Sequence, residues 1–102
     1  MHWQNNKAMA TISTKKYKVT YSIEDGVVVL DNIEVNPSHR GQGVGTSAMH
    51  RFMKKFSGRN IELHAYAQDD TTDTNKLVTF YEKFGFSVVC GEESYGFEMK
   101  NY

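Results

Sequence analysis

Three glycines at alternate positions, Gly41, Gly43 and Gly45, stand between an apolar run ending at Val35 and an amphipathic stretch beginning at Val44. No other feature constrains the chain as much. Alternate glycines leave consecutive backbone amides unshielded by side chains. A helix starting at that point adds its own unpaired N–H groups and a partial positive charge. A strand, a bare loop and a helix N-terminus in that order form an anion cradle of the kind that suits phosphates. Arg40 stands at its mouth, and Lys54 and Lys55 follow on the helix. A Walker loop would need a Lys before its Ser or Thr, and Gly45-Thr46 has none. A Rossmann loop would place its glycines directly after the strand in a longer βαβ repeat, whereas residues 36–40 intervene here. A merely flexible turn does not explain three glycines within five positions after an arginine.

The rest of the chain supplies the elements around this loop. Tyr17, Val19, Tyr21 and Ile23 alternate with polar residues and predict a strand. Glu24-Asp25-Gly26 predicts a turn, and Val27 to Val35 a second, longer strand, so the two form a hairpin. Val44, Ala48, Phe52 and Phe56 recur every fourth residue and predict a helix from about Val44 to Phe56. Ile61 to Ala67 alternates again, with Glu62, His64 and Tyr66 on the polar face. Gln68 to Asp73 reads as a polar loop whose Thr72 or Asp73 caps the next helix. Leu77, Phe80, Tyr81 and Phe84 form that helix's apolar stripe, which Gly85 ends. Two short strands, Phe86 to Cys90 and Tyr95 to Lys100, close the chain. The expected order is ββαβαββ, an α/β or α+β domain over residues 15–102, preceded by an arm or poor edge strand at residues 1–14.

Composition bounds the function. The 102 residues fit one domain. One cysteine allows neither an internal disulfide nor a cysteine-built zinc site, and Cys90 is expected as a small buried hydrophobe. The four histidines show no metal-ligand spacing, so no metal is expected. Lys plus Arg equals Asp plus Glu at 12 each, which argues against a nucleic-acid coat protein. That zero divides into nine basic against four acidic residues over 1–60 and three against eight over 61–102. The positive half holds the cradle. No run of 18 apolar residues predicts a membrane span, and Met1 to Lys7 lacks the apolar core of a secretory signal, so a cytoplasmic location is expected. Tyr81 reads either as a core tyrosine or as a site residue. His64 reads as a hydrogen-bonded surface histidine or as a base.

Two motifs together resemble the GNAT-type N-acetyltransferases. Arg40-Gly41-Gln42-Gly43-Val44-Gly45 after Ile33-Glu34-Val35-Asn36-Pro37 matches that family's Arg/Gln-x-x-Gly-x-Gly/Ala loop and its strand exit. Phe80-Tyr81-Glu82-Lys83-Phe84-Gly85-Phe86 matches its second hallmark, one strand later. The resemblance covers roughly residues 17–100. It implies a truncated GNAT fold with a mixed sheet splayed into a V between central strands. The backbone of Ile33, Glu34 and Val35 would pair with the pantetheine arm of acetyl-CoA. The amides of Gly41, Gln42, Gly43, Val44, Gly45 and Thr46, with Arg40, would hold its pyrophosphate. Tyr81 would lie near the thioester sulfur as general acid, and His64 is the nearest match to a base on the next strand, with Asp31, Glu34 or water as alternatives. Where the family often carries Asn before the Tyr, this chain has Thr74, and the adjacent Asn75 is assigned to the cofactor side. Val29 stands where some protein acetyltransferases carry a catalytic Glu. The strand and two helices that usually precede the hairpin have no counterpart, so the acceptor side, with Asp31, Tyr66, Asp69 and Asp70, is expected to be open. The implied activity is transfer of acetyl to an amine, a protein lysine above all. The alternatives are a non-catalytic CoA-binding or interaction module and a small-amine acetyltransferase completed by dimerisation, the chain being a monomer or homodimer. Ala65-Tyr66-Ala67-Gln68-Asp69-Asp70 followed by Phe80-Tyr81 also resembles short phage anti-CRISPR acetyltransferases, which act on a lysine of a type V-A CRISPR nuclease, and implies a phage or mobile-element origin.

Overall fold

The computed structural model describes residues 9–67 and 73–102. Among these residues six strands form one sheet: β1 (Met9–Ser13), β2 (Tyr17–Glu24), β3 (Val27–Val35), β4 (Ile61–Ala65), β5 (Ser87–Glu92) and β6 (Gly96–Lys100). Helix α1 (Val44–Lys55) joins β3 to β4, and α2 (Thr74–Glu82) joins β4 to β5. The spatial order is β1-β2-β3-β4-β6-β5. β3 and β4 run parallel and all other neighbours antiparallel, so the sheet is mixed. Described in chain order, the domain is βββαβαββ.

The first strand, β1, lies within the segment expected as an arm or a poor edge strand, and it stands at the edge of the sheet. Ala10 and Ile12 face Tyr21 and Val19 across the ladder, a two-residue apolar alternation too short to stand out in the sequence. A turn over residues 14–16 joins β1 to β2. The Thr14 hydroxyl accepts from the amides of Lys16 and Tyr17, both at 3.1 Å. β1 therefore forms the edge of the sheet beside the hairpin. What is absent between it and the hairpin is any helix.

Both helices pack on one face. The steps β3 to β4 and β4 to β5 advance in the same direction across the sheet, and the right-handed crossover rule then puts both connections on the same side. Burial agrees. Val44, Ala48, Phe52 and Phe56 on one stripe of α1 are buried with Val19, Val28, Leu30, Ile61, Leu63 and Met99 in one cluster, against which Leu77, Phe80, Tyr81 and Phe84 of the α2 region pack. Tyr21 sets its ring edge-on to Phe52 and Phe56 at 5.7 and 5.0 Å, and His50 meets Phe84 at 5.0 Å. Each fully buried side chain of this size contributes about 1.5–3 kcal/mol. The opposite face carries no helix among the described residues.

Cys90 corrects the sequence expectation. It is exposed, with its thiol donating to Glu98 at 3.3 Å. The ladder runs Val88↔Met99 and then Cys90↔Glu98, so Val89 is an extra residue. This bulge moves Cys90 from the phase of Val88 to the polar face.

Candidate active site

β3 and β4 pair only over Val28↔Ile61, Val29↔Glu62 and Leu30↔Leu63. Beyond this point β3 continues to Val35 bonded to β2 alone, and β4 to Ala65 bonded to β6 alone. The cause lies in β3. Thr20 faces Asn32 and Tyr21 faces Leu30, so Asp31 is a bulge at the parting point. A bulge bends its strand and increases the local twist. It also resets the alternation: Val28 and Leu30 before it, and Ile33 and Val35 after it, all share the core face of Val19 and Tyr21. That change of phase is visible in the sequence as the step from Leu30 to Ile33.

The splay opens a cleft of about 510 Å3. Asp31 to Val35, Arg40, Leu63 to Ala67, Leu77 and Tyr81 line it. It thus gathers Ile33, Glu34, Val35, Arg40, Asp31, His64, Tyr66 and Tyr81 from the sequence reading, and adds Asn32 and Leu77. The unpaired edge of β3 within it offers backbone donors and acceptors to an extended ligand. Asp69 and Asp70 lie outside the described residues.

The glycine loop continues from Arg40. Asn36 ties its start to the β1–β2 turn, donating from its backbone amide to the Lys16 carbonyl at 2.8 Å. Its side chain accepts from the Ser38 amide at 3.0 Å and caps a single 3-10 turn, Pro37–His39. Gly41 and Gly43 sit at φ +79° and +74°, a region that favours glycine. Gly43 is the N-cap of α1 and brings no capping side chain, nor is there an acidic residue in the first turn. The first helical bond runs from Ser47 N–H to Gly43 C=O at 3.1 Å. The amides of Val44, Gly45 and Thr46 precede it and have no acceptor within the helix. A β-carbon on Gly41 or Gly43 would meet nothing within 4 Å, so the loop is open on the side where those side chains would stand. These features fit a diphosphate carried by an extended, strand-like arm.

His64 is held by the β5–β6 hairpin. Its Nε2 lies 2.9 Å from the Tyr95 carbonyl. A carbonyl only accepts, so Nε2 donates and the lone pair of the neutral ring is on Nδ1. The ring rests over Gly96 (φ +98°), whose β-carbon would come 2.6 Å from Nε2 and 2.8 Å from the Ala65 carbonyl oxygen. An isolated glycine in a strand was the sequence signal for such a close approach. Gly96→Ala is expected to cost about 2 kcal/mol through steric crowding and left-handed strain. Chemical denaturation checks this; an unchanged midpoint would mean that the strand gives way at the Ala65 carbonyl as well as at the His64 ring without cost.

Tyr81 is partly buried beside Phe80 and Phe86, at ring distances of 5.2 and 6.2 Å. That burial pushes its phenol up to about 12. It therefore remains an O–H donor at every working pH. Asn75 does not line the cleft; its side-chain amide donates to the Glu93 carboxylate instead. Thr74 is buried and accepts from the Ala67 amide at 3.1 Å, which joins the start of α2 to the residues after β4. Asp73 caps α2 through the Asn75 amide at 2.7 Å.

Comparison with known proteins agrees with this geometry. The model of the acetyltransferase (GNAT) family matches residues 1–86. The crystal structure of the anti-CRISPR protein AcrVA5 superposes with a TM-score of 0.69 at 29% identity, covering 90% of this chain and 96% of that one. The PaiA N-acetyltransferase of Thermoplasma acidophilum, in complex with coenzyme A, gives a TM-score of 0.58 at 19% identity over 83% of this chain. Arabidopsis thaliana Naa50, in complex with the bisubstrate analogue CoA-Ac-MVNAL, gives 0.61 at 19% identity, also over 83%. The chain spans 52% and 63% of those two proteins, whose likeness is one of fold. A search of curated proteins found no match.

Proposed function

The chain belongs to the acetyltransferase (GNAT) family, and from that premise we propose that it moves the acetyl group of acetyl-CoA to a lysine amine of a protein. The observation that carries this reading is the single cleft shared by the unpaired β3 edge, Arg40, His64 and Tyr81. The β3 edge pairs with the pantetheine arm, and Arg40 with the amides of residues 41–46 holds the diphosphate. The amine nitrogen attacks the thioester carbonyl, and the tetrahedral intermediate collapses to the amide and CoA thiolate. A lysine amine with its usual pKa of about 10.4 is neutral in only about one molecule in 2,500 at pH 7. His64 Nδ1 takes the amine proton, and the Tyr81 hydroxyl donates to the departing sulfur.

Likeness to AcrVA5 supports an acceptor within a defence system that a phage or mobile element must disarm. Mass spectrometry of candidate proteins after incubation with labelled acetyl-CoA tests the activity. Labelled lysines are expected; labelled small amines alone would overturn the protein acceptor. A lack of any acetyl-CoA binding at millimolar concentration would overturn the whole reading. His64→Gln, which keeps a donor for the Tyr95 carbonyl, is expected to lower kcat about tenfold and flatten the acidic limb of the pH–rate profile. An unaltered profile would move the base to Asp31, Glu34 or water.

A further inference from the structure

The cleft separates two strands of one sheet, and its lining comes from both faces, with Leu77 and Tyr81 on the helix side and Glu34 and His64 on the other. The diphosphate cradle belongs to α1, on the helix-covered face. An acceptor approaching the thioester without displacing the donor comes from the other face. Directly paired residues share a face, and the registers name the residues of the helix-free one. Lys18 pairs with Glu34, Val29 with Glu62, Glu62 with Lys100, His64 with Glu98, and Glu98 with Cys90. Three carboxylates stand there (Glu34, Glu62 and Glu98), and Asp31 adds a fourth at the cleft. Against them the same rows hold two lysines, of which Lys100 lies 3.6 Å from Glu62. Exposed tyrosines border the carboxylates. Tyr66 (43%) lines the cleft, Tyr95 (60%) is the last residue of the hairpin turn and meets His64 through its backbone carbonyl, and Tyr102 (56%) donates its hydroxyl to Glu62. The Tyr102 ring already holds a cation, with Lys100 Nζ 5.1 Å from its centroid.

We infer that this helix-free face is a docking surface for a basic protein segment, arginine- or lysine-rich around the acceptor lysine. The carboxylates complement its charge, and the tyrosine faces take its cations. The inference rests on the protein-lysine reading above. Two peptides test it, each with a central lysine, one flanked by arginines and the other by serines. The arginine peptide is expected to show a KM about tenfold lower, with the gap closing at about 0.5 M salt. Glu62→Gln with Glu98→Gln is expected to keep kcat on the serine peptide and remove most of the preference, and Glu62→Lys with Glu98→Lys to reverse it. Thermal melting confirms that each variant is folded. Equal KM values for the two peptides, or a preference that survives in the folded variants, overturns the surface while leaving acetyl transfer intact. Fluorescence anisotropy of the arginine peptide on CoA-saturated protein separates the other case. Binding lost in the variants, without any acetylation, upholds the surface and overturns acetyl transfer.

Discussion

Tyr81→Phe lowers kcat about a hundredfold and leaves the Kd for acetyl-CoA within about twofold. The ring stays where Phe80 and Phe86 pack against it, so only one oxygen is lost. A thiol's ordinary pKa is about 8.5, and complete proton transfer to its thiolate from a phenol at about 12 is uphill by roughly 3.5 units. Tyr81 therefore contributes a hydrogen bond that strengthens as charge develops on sulfur, and CoA leaves as a thiolate held by that bond, to be protonated from water after release. Such a bond is worth more in the transition state than in the bound substrate, which is why kcat moves and Kd does not. The sign of the pH effect follows. The protonated phenol is the working form, so its contribution is complete below pH 10 and is lost only as pH rises through about 12. No basic limb from this group enters the profile at ordinary pH. Turnover unchanged in the variant would return Tyr81 to a core-packing role.

Where a function is carried by local backbone chemistry, it is legible in the sequence. The Val27–Val35 strand, the start of α1 at Val44, the stripe around Tyr81 and the glycine loop all follow from periodicity and from residues with special φ preferences. What depends on pairing between distant segments is less legible. The bulge at Asp31 shows only when β3 is laid against β2, and its trace in the sequence is a one-residue phase change between Leu30 and Ile33. The bulge at Val89, which reverses the environment of Cys90, likewise shows only against β6. The pairing of β1 needs β2 as a template. His64 could be seen as polar and strand-borne, but its tautomer is set by a carbonyl 31 residues away. The helix-free face needed the strand order before its carboxylates could be grouped.

The glycine loop permits a test in which stability and binding separate. Gly43 and Gly58 lie at opposite ends of α1, with φ of +74° and +80°, and a β-carbon on either would meet nothing within 4 Å. Replacing either by alanine forces an L-residue into the left-handed region at a cost of about 1 kcal/mol. The two variants should therefore melt at similar, slightly lowered temperatures. Their affinities for acetyl-CoA should differ sharply. At Gly43 the added methyl stands where a diphosphate must approach the amides of residues 43–46, displacing one or two charge-assisted hydrogen bonds worth about 1.5–3 kcal/mol each. Gly43→Ala is thus expected to weaken acetyl-CoA binding at least tenfold and toward a hundredfold, read by calorimetry. Gly58→Ala should bind as the parent does. The open space in front of Gly43 makes the contrast informative: with nothing in the free protein to clash against the methyl, a loss confined to Gly43 identifies a ligand as the neighbour that the missing side chain accommodates. Equal affinities in the two variants would remove the diphosphate from this loop and leave its glycines with a purely conformational role.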